Sequence, residues 1–278
     1  MSLSFPAPAK LNLFLHVVGR RADGYHLLQS VFRLIDRADV VHIEPRDDGV
    51  IARQGDVPGV TEAQDLTVRA ARLLQTRAPD GAGVNIRLDK RVPMGGGLGG
   101  GSSDAATVLL ALNRLWEVNL SRGELQSLAL QLGADVPVFV FGRTAFAEGV
   151  GEILHAAAAA PAWYVVLTPP VHVPTASVFA APELTRDTPP LKIAPFSAGM
   201  GRNDLEPVVV KRYPEVARHL AWLAQFGEAR MTGSGACVFA SFDTEDAARD
   251  VLRRLPGTMR GFVAQGLDRH PLYDFCAE

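Results

Sequence analysis

A glycine-rich segment near residue 100 is the part of the sequence best suited to bind phosphate. Glycine tolerates positive φ angles and lets the backbone approach a ligand, so successive N–H groups can converge on an anion. An amphipathic helix should follow directly, with its free N–H groups and positive dipole end facing the same point. Ser102 or Ser103 is predicted to cap this helix and to offer a hydroxyl to phosphate or to its cation. The residues expected to form this di- or triphosphate site are Pro93, Met94, Gly95, Gly96, Gly97, Leu98, Gly99, Gly100, Gly101, Ser102 and Ser103.

The same glycines could instead form a plain turn between a strand and a helix. Six of the seven residues from 95 to 101 are glycine. Each would weaken the fold by about 0.5–1 kcal/mol relative to alanine if it had no role. That total is a sizeable part of a typical stability of about 5–15 kcal/mol, so a ligand-binding role is favoured.

Other phosphate-binding motifs fit this chain poorly. Gly95, Gly97 and Gly100 satisfy the G-x-G-x-x-G spacing of a dinucleotide-binding fold. That fold should place an acidic residue at a strand end about 20 residues on, but the region near Trp116 and Glu117 is still the end of the predicted helix. No Gly-Lys pair exists for a Walker loop, and the His-Arg-Asp and Asp-Phe-Gly signatures of protein kinases are missing.

Two charged residues stand where they could act on a bound phosphate. Residues 11–18 alternate as in a β-strand, and the same parity places Lys10 and Asn12 together on one face. Asp135 lies between a predicted helix end and Pro137, so it belongs to a rigid turn. An aspartate in such a turn often only accepts hydrogen bonds from backbone N–H groups, and a lysine that begins a strand is often a surface residue. On the residues alone, these alternatives stay open.

The candidate residues must be positioned by strands and helices, whose sequence patterns are interspersed along the chain. An alanine-rich run, 155–161, is expected to join two domains, 1–156 and 157–278. The second half mixes strands with helices, which favours an α+β sandwich. The predicted helices lie at 66–74, at 121–133 with a capping box of Ser121 and Glu124, near 214–226 and at 247–255; the predicted strands lie at 40–44, 84–88, 163–167, 236–242 and 262–264.

Composition narrows the class of protein. The 278 residues contain 28 Lys and Arg against 30 Asp and Glu, a net charge of −2 with no basic runs, so nucleic acid is a poor candidate partner. The two cysteines, Cys237 and Cys276, and the scattered histidines lack metal-ligand spacing, and no residue is assigned as a metal ligand. No secretory signal and no run of about 18 apolar residues is visible, so we expect a cytoplasmic enzyme without a membrane partner.

Three motifs together resemble those of the GHMP kinase family. The glycine segment is similar to the family's second motif. Residues 6–15, which read PAPAKLNLFL, and residues 231–238, which read MTGSGACV, stand where the family has its other two motifs. The order is kept across the whole chain, which is far more specific than any single motif.

The resemblance implies an α+β, two-domain GHMP kinase fold. It would have a ribosomal-S5-like N-terminal domain, a ferredoxin-like C-terminal domain and an active site in the cleft between them. The implied reaction is transfer of a phosphoryl group from ATP, with Mg²⁺, to the hydroxyl of a small molecule. The expected partners are therefore small-molecule substrates only, and the expected state is a monomer or weak homodimer.

Three further segments, at 21–26, 132–137 and 203–207, resemble the family members that phosphorylate the 2-hydroxyl of a diphosphocytidyl-linked sugar alcohol in non-mevalonate isoprenoid biosynthesis. By that resemblance Lys10 and Asp135 are catalytic, and Asp65 and Leu66 join the glycine segment in binding ATP. Asp65 stands where the family usually has an asparagine near the adenine. The residues expected to bind the acceptor are Tyr25, His26 and Phe179, with Asn12, Phe32 and Thr175 as weaker candidates.

Alternative functions remain within and outside the family. A GHMP kinase acting on mevalonate, homoserine or a sugar would share the glycine segment and differ in the acceptor pocket, where Tyr25 and His26 favour the cytidyl substrate. A nucleotide-binding protein without catalysis should have lost Lys10 or Asp135, and both are present. A dehydrogenase would bind NAD and transfer no phosphate.

Overall fold

Strands and helices are interleaved throughout the parts of the chain that this computed structural model describes, residues 1–192 and 201–278. The ten strands in those ranges are β1 (Leu3–Arg20), β2 (His26–Arg46), β3 (Ile51–Gln54), β4 (Gly83–Asp89), β5 (Ala145–Glu148), β6 (Ile153–Ala156), β7 (Trp163–Leu167), β8 (Ala229–Met231), β9 (Val238–Phe242) and β10 (Gly261–Leu267). The eight α-helices there are α1 (Leu66–Gln75), α2 (Gly100–Leu115), α3 (Arg122–Leu132), α4 (Val136–Phe141), α5 (Thr175–Phe179), α6 (Glu206–Arg212), α7 (Pro214–Leu223) and α8 (Glu245–Arg253).

The strands form one connected sheet in the order β3-β4-β2-β10-β7-β9-β8. β1 and β5 also pair with β2, and β6 pairs with β5. Only β3 and β4 run parallel among these pairs. β10 links the two halves of the chain, because its residues 261–265 pair with β7 while Gly266 and Leu267 pair with β2.

Three apolar clusters form the core. The first packs α1 to α4 against β1, β2 and β4, and its centre is α2, which is buried from Ser103 to Asn113. The second packs α5 to α8 around β7 and β9. The third joins β1, the glycine segment and β9, with Leu11, Leu98 and Phe239 among its members. This third cluster places the glycine segment where the two halves of the protein meet.

Several predicted elements are confirmed. The capping box of Ser121 and Glu124 begins α3, and Gly133 ends it. β7 has the predicted bounds, and α1 begins at Leu66 as expected. The predicted ends of β4, β9, β10, α7 and α8 differ by up to three residues, whereas β1 and β2 begin well before the predicted starts at residues 11 and 40. Hydrogen bonding to neighbours rather than local pattern fixes where a strand or helix ends.

The predicted cap of α2 is wrong. Neither Ser102 nor Ser103 precedes the helix; Gly99, in the left-handed conformation with φ of +71°, is the N-cap, and α2 begins at Gly100. The hydroxyl of Ser103 is fully buried and donates to the carbonyl of Pro8 in β1, at 2.6 Å. The close packing of α2 on β1 therefore uses this hydroxyl for structure rather than for capping.

The expected domain boundary at 156/157 coincides with the end of β6 and stays a prediction. Within residues 1–192 and 201–278, no helix has the length and apolar character needed to cross a membrane.

Candidate active site

The glycine segment, residues 93–102, forms one wall of a cavity of about 430 Å³. Gly95, Gly97 and Gly99 have φ angles of +69°, +76° and +71°, which L-residues with side chains adopt only with strain. These conformations bend the segment into a loop, and the loop runs into the N-terminal end of α2. Backbone N–H groups and a helix N-terminus in this arrangement favour binding of an anion.

The loop is fixed by both halves of the protein. The N–H of Lys10 in β1 donates to the carbonyl of Leu98 at 3.0 Å, and the N–H of Cys237 donates to the carbonyl of Gly96 at 3.1 Å. Gly97 packs on the turn at 232–235 so closely that a Cβ atom there would lie 2.2 Å from the carbonyl oxygen of Thr232. The second and third sequence motifs are therefore in direct contact.

Most of the residues predicted to bind ATP line this cavity: Asp65, Leu66 and residues 93–102. Ser103 does not, because its hydroxyl is turned toward β1. Sequence reasoning missed a second group that the structure adds to the wall. Its members are Val57, Val60, Gln64, Thr67, Leu88, Lys90, Val92 and Asp104. Of these, only Lys90 could have been noticed from the sequence, because it is a basic residue just ahead of the glycine segment.

Asp65 is buried and its carboxylate is held by neighbours. It caps α1, and its Oδ1 accepts hydrogen bonds from the N–H and the hydroxyl of Thr67 at 2.8 and 2.6 Å. Its Oδ2 accepts from Nη1 of Arg53 at 3.0 Å. The negative charge that replaces the family's usual amide is thus matched by a buried cation.

A second buried network lies beneath the loop. The ammonium of Lys90 donates to the carboxylates of both Asp39 and Asp104, and Oδ1 of Asp39 accepts the backbone N–H groups of Arg91 and Val92. Burial raises the pKa of Asp104 to about 7, and the charge on Asp39 adds to this against the opposing effect of Lys90. This network ties Asp39 of β2 to the chain that enters the glycine loop.

A second cavity, of about 440 Å³, shares the loop wall and contains both predicted catalytic residues. Nζ of Lys10 lies 3.6 Å from Oδ2 of Asp135 and donates to Oδ1 of Asn12 at 2.5 Å. Asn12 in turn donates to the hydroxyl of Ser30 at 2.8 Å, and the lysine lies over the ring of Phe32, 5.3 Å from its centroid. The predicted shared face of Lys10 and Asn12 is confirmed.

The exposure of the two charged residues differs. Lys10 is 2% exposed, whereas the Asp135 side chain is 44% exposed and borders the cavity. Asp135 stands at the N-cap of α4, yet its side chain makes no capping hydrogen bond. The structure therefore does not support the alternative that Asp135 only accepts hydrogen bonds from the backbone of its turn. Its carboxylate instead pairs with Lys10 and borders the cavity.

A third cavity, of about 570 Å³, continues from the second, with which it shares Leu28, Ala134, Val150, Thr175 and Phe179. Its aromatic residues are those predicted to bind the acceptor: Tyr25, His26 and Phe179.

Tyr25 is 65% exposed, and the rings of His26 and Phe179 lie 5.0 Å apart between centroids. Nε of Arg186 donates to Nε2 of His26 at 3.1 Å. Nδ1 of that ring therefore carries the hydrogen when the imidazole is neutral. Burial, with the charge of Arg186, lowers the pKa of His26, so the neutral ring is favoured. An aromatic surface with a directed N–H donor suits a planar heterocycle.

Asn12, Phe32 and Thr175, the weaker candidates for acceptor binding, line the second cavity. Thr175 shares a hydrogen bond of 2.7 Å with the hydroxyl of Ser234, which belongs to the third sequence motif. Apart from Ser103, the predicted residues thus line three adjoining cavities, from the glycine loop past Lys10 and Asp135 to the aromatic cavity.

Comparison with known proteins defines the class of this protein. The model of the GHMP kinases N terminal domain matches residues 65–143, and the model of the GHMP kinases C terminal domain matches residues 190–261. The chain belongs to the GHMP kinase family. It is also similar in fold to a solved mevalonate kinase, with a TM-score of 0.68 at 15% identity over 96% of this chain and 100% of that one.

Several relatives of this chain carry the name of the same kinase. The 4-diphosphocytidyl-2-C-methyl-D-erythritol kinase of Thiobacillus denitrificans is 81% identical over 100% of both chains. The protein of the same name from Nitrosospira multiformis is 66% identical over 99% of this chain and 95% of its own. A crystal structure of 4-(cytidine 5'-diphospho)-2C-methyl-D-erythritol kinase has a TM-score of 0.81 and 35% identity, covering 95% of this chain and 99% of that one.

Proposed function

We propose that this protein transfers the γ-phosphate of ATP to the 2-hydroxyl of 4-diphosphocytidyl-2-C-methyl-D-erythritol, a step of non-mevalonate isoprenoid biosynthesis. The observation that carries the proposal is that the three cavities adjoin and share lining residues. Lys10 and Asp135 stand between the glycine-loop cavity and the aromatic cavity. The relatives' shared name supports the choice of acceptor over mevalonate, homoserine or a sugar.

Phosphoryl transfer depends mainly on positioning and on electrostatic stabilisation. The loop from residue 95 to residue 101 and the N-terminus of α2 would hold the triphosphate. Lys10, whose Nζ lies 3.6 Å from Oδ2 of Asp135, would offer its positive charge to the moving phosphoryl group. Asp135 would orient the acceptor hydroxyl and accept its proton as the bond from that oxygen to the γ-phosphorus forms and the bond from the γ-phosphorus to the β-phosphate oxygen breaks, which releases ADP.

Mg²⁺ would accompany ATP and neutralise charge on its β- and γ-phosphates. Such an ion is usually held by phosphate oxygens and one or two protein oxygens. The hydroxyl of Ser102 fits that role, because Ser102 lines both the loop cavity and the cavity that contains Asp135. The buried hydroxyl of Ser103 does not, since it is committed to Pro8.

The aromatic cavity would select the cytidyl group. A pyrimidine between Tyr25 and Phe179 would gain about 1–3 kcal/mol per stacked ring. The Nδ1–H of His26 would donate to an acceptor on the edge of the base.

The other elements of the proposal are a boundary between domains 1–156 and 157–278, a cytoplasmic location, small molecules as the only partners, and a monomer or weak homodimer.

The test is ADP release with Mg-ATP and four separate acceptors: 4-diphosphocytidyl-2-C-methyl-D-erythritol, mevalonate, homoserine and galactose. We expect turnover only with the cytidyl compound, and its loss in Asp135→Asn, which keeps the size of the side chain. Turnover with another acceptor would keep the phosphoryl-transfer chemistry and reject the acceptor. No turnover with any of the four would favour a protein that binds nucleotide without catalysis.

A further inference from the structure

One buried arginine supports the part of the loop cavity that is formed by residues 57–65. Arg53 lies in β3, with only 7% of its side chain exposed. Its Nη1 donates to Oδ2 of Asp65 and to the carbonyl oxygen of Val60, both at 3.0 Å. Asp65 and Val60 line the cavity, whereas Arg53 lies behind them.

This wall has the chemistry of a nucleobase site. The glycine loop supplies the backbone donors and the helix N-terminus that suit phosphates. Much of the remaining lining is apolar, with Val57, Val60, Leu66 and Leu88, and such walls suit the flat face of a purine. Val57 and Val60 face each other in an isolated β-bridge, so Arg53 holds that turn through its contact with Val60.

The charge of Asp65 makes the arginine necessary. The carboxylate is 4% exposed, and Thr67 occupies its Oδ1 with two hydrogen bonds. A buried carboxylate without a cation is strongly unfavourable, and the usual responses are protonation or movement toward water. Either response would displace the start of α1 and the neighbouring Leu66, which lines the same cavity.

We infer that Arg53 is a positioning residue for the nucleotide. It acts as one unit with Asp65, neutralising the carboxylate and fixing the Val57–Val60 turn so that the base-binding wall keeps its shape. The inference rests on the proposed use of ATP. It predicts that loss of the cation alone weakens ATP binding, and that removing the charge of its partner as well restores it.

The test compares Arg53→Met with the double variant Arg53→Met/Asp65→Asn, which removes both charges and keeps the shape of the acid. Arg87→Met is the matched control, because Arg87 lies on the adjacent strand β4 and forms an exposed ion pair with Asp89. Calorimetric titration with Mg-ATP gives the Kd, and steady-state kinetics give the KM for ATP and for the acceptor separately.

We expect Arg53→Met to raise the Kd for ATP about tenfold or more, and to raise the KM for ATP more than the KM for the acceptor. The double variant should return to within about threefold of the unaltered protein, since the cost of a buried, unpaired charge is gone. A merely structural role would move both KM values together and would not be rescued by removing the charge.

Two results would overturn the inference: the same Kd for Arg53→Met and Arg87→Met, or no recovery in the double variant. If the unaltered protein itself fails to bind ATP, the proposed function fails instead, so the two failures are distinguishable. Should Arg53→Met fail to fold by circular dichroism, Arg53→Gln, which keeps N–H donors without the charge, replaces it with the same expectations.

Discussion

Replacing Gly97 by alanine tests whether the glycine loop works as a rigid cradle. The added Cβ would lie 2.2 Å from the carbonyl oxygen and 3.1 Å from the carbonyl carbon of Thr232. The loop or the turn at 232–235 must therefore move by about 1 Å to restore an ordinary contact. The φ of +76° at Gly97 adds a conformational cost of about 1–2 kcal/mol for an L-residue.

A displacement of that size at a site that aligns reacting groups costs about 10²-fold in rate. We therefore expect Gly97→Ala to lower kcat/KM for ATP by about two orders of magnitude. The matched control is Gly101→Ala in the first turn of α2, just after the loop, where the added Cβ meets only Leu66 Cδ1 at 3.9 Å. It should stay within about threefold of the unaltered protein, because it lies inside α2, where alanine is favoured.

The assay is ADP release across a range of ATP concentrations, with thermal unfolding of both variants to separate a shifted loop from a loss of folded protein. Equal kcat/KM values for Gly97→Ala and Gly101→Ala, both folded, would refute the argument that close contact with Thr232 fixes the loop.

Three further predictions concern the residues around the loop. Asp135→Ala should lower kcat by about 10²–10⁴-fold, the usual contribution of a general base, while the Kd for ATP changes little; unchanged turnover would remove Asp135 from the mechanism. Tyr25→Ala should raise the KM for the cytidyl substrate and leave the KM for ATP unchanged, because Tyr25 borders the aromatic cavity and neither of the two cavities beside the glycine loop; equal effects on both would count against that assignment. Burial is the chief reason that the pKa of Asp104 is raised from the ordinary aspartate value of 3.8 to about 7 in the folded protein. Between about pH 4 and pH 7, the carboxyl group of Asp104 is therefore protonated in the folded state and ionised in the unfolded state. The free energy of unfolding should fall as pH rises through this range, by at most about 4 kcal/mol, and then level off. Denaturant unfolding at several pH values should show a shallower fall in Asp104→Asn, and identical pH profiles would contradict the role given to Asp104.

Features set by neighbouring residues were predictable from the sequence. The capping box of α3 needs only Ser121 and Glu124, three residues apart, and the shared face of Lys10 and Asn12 follows from the two-residue period of a strand. The positive φ angles of Gly95, Gly97 and Gly99 were also predictable, because positive φ angles and bare backbone are properties of glycine itself; the phosphate site stays a prediction. Three motifs in order then indicated the family, which the family models and the relatives confirm.

The cap of α2 shows where local reasoning failed. Serine is a preferred capping residue, and two serines lie at the start of this helix. The helix nevertheless begins two residues before them, at Gly100, and the hydroxyl of Ser103 donates to Pro8, 95 residues earlier in the chain. The contact depends on how α2 packs against β1.

The sequence by itself determined which chemical groups this protein carries: a glycine-rich loop suited to phosphate, a lysine and an aspartate, and aromatic residues on a turn. Only the tertiary structure decided how they meet. Gly97 contacts Thr232, Arg53 neutralises Asp65, and Lys90 bridges Asp39 to Asp104. The physical reason is that local conformation follows from each residue and its near neighbours, whereas ion pairs and close contacts between distant segments form only once burial has fixed the distances between them.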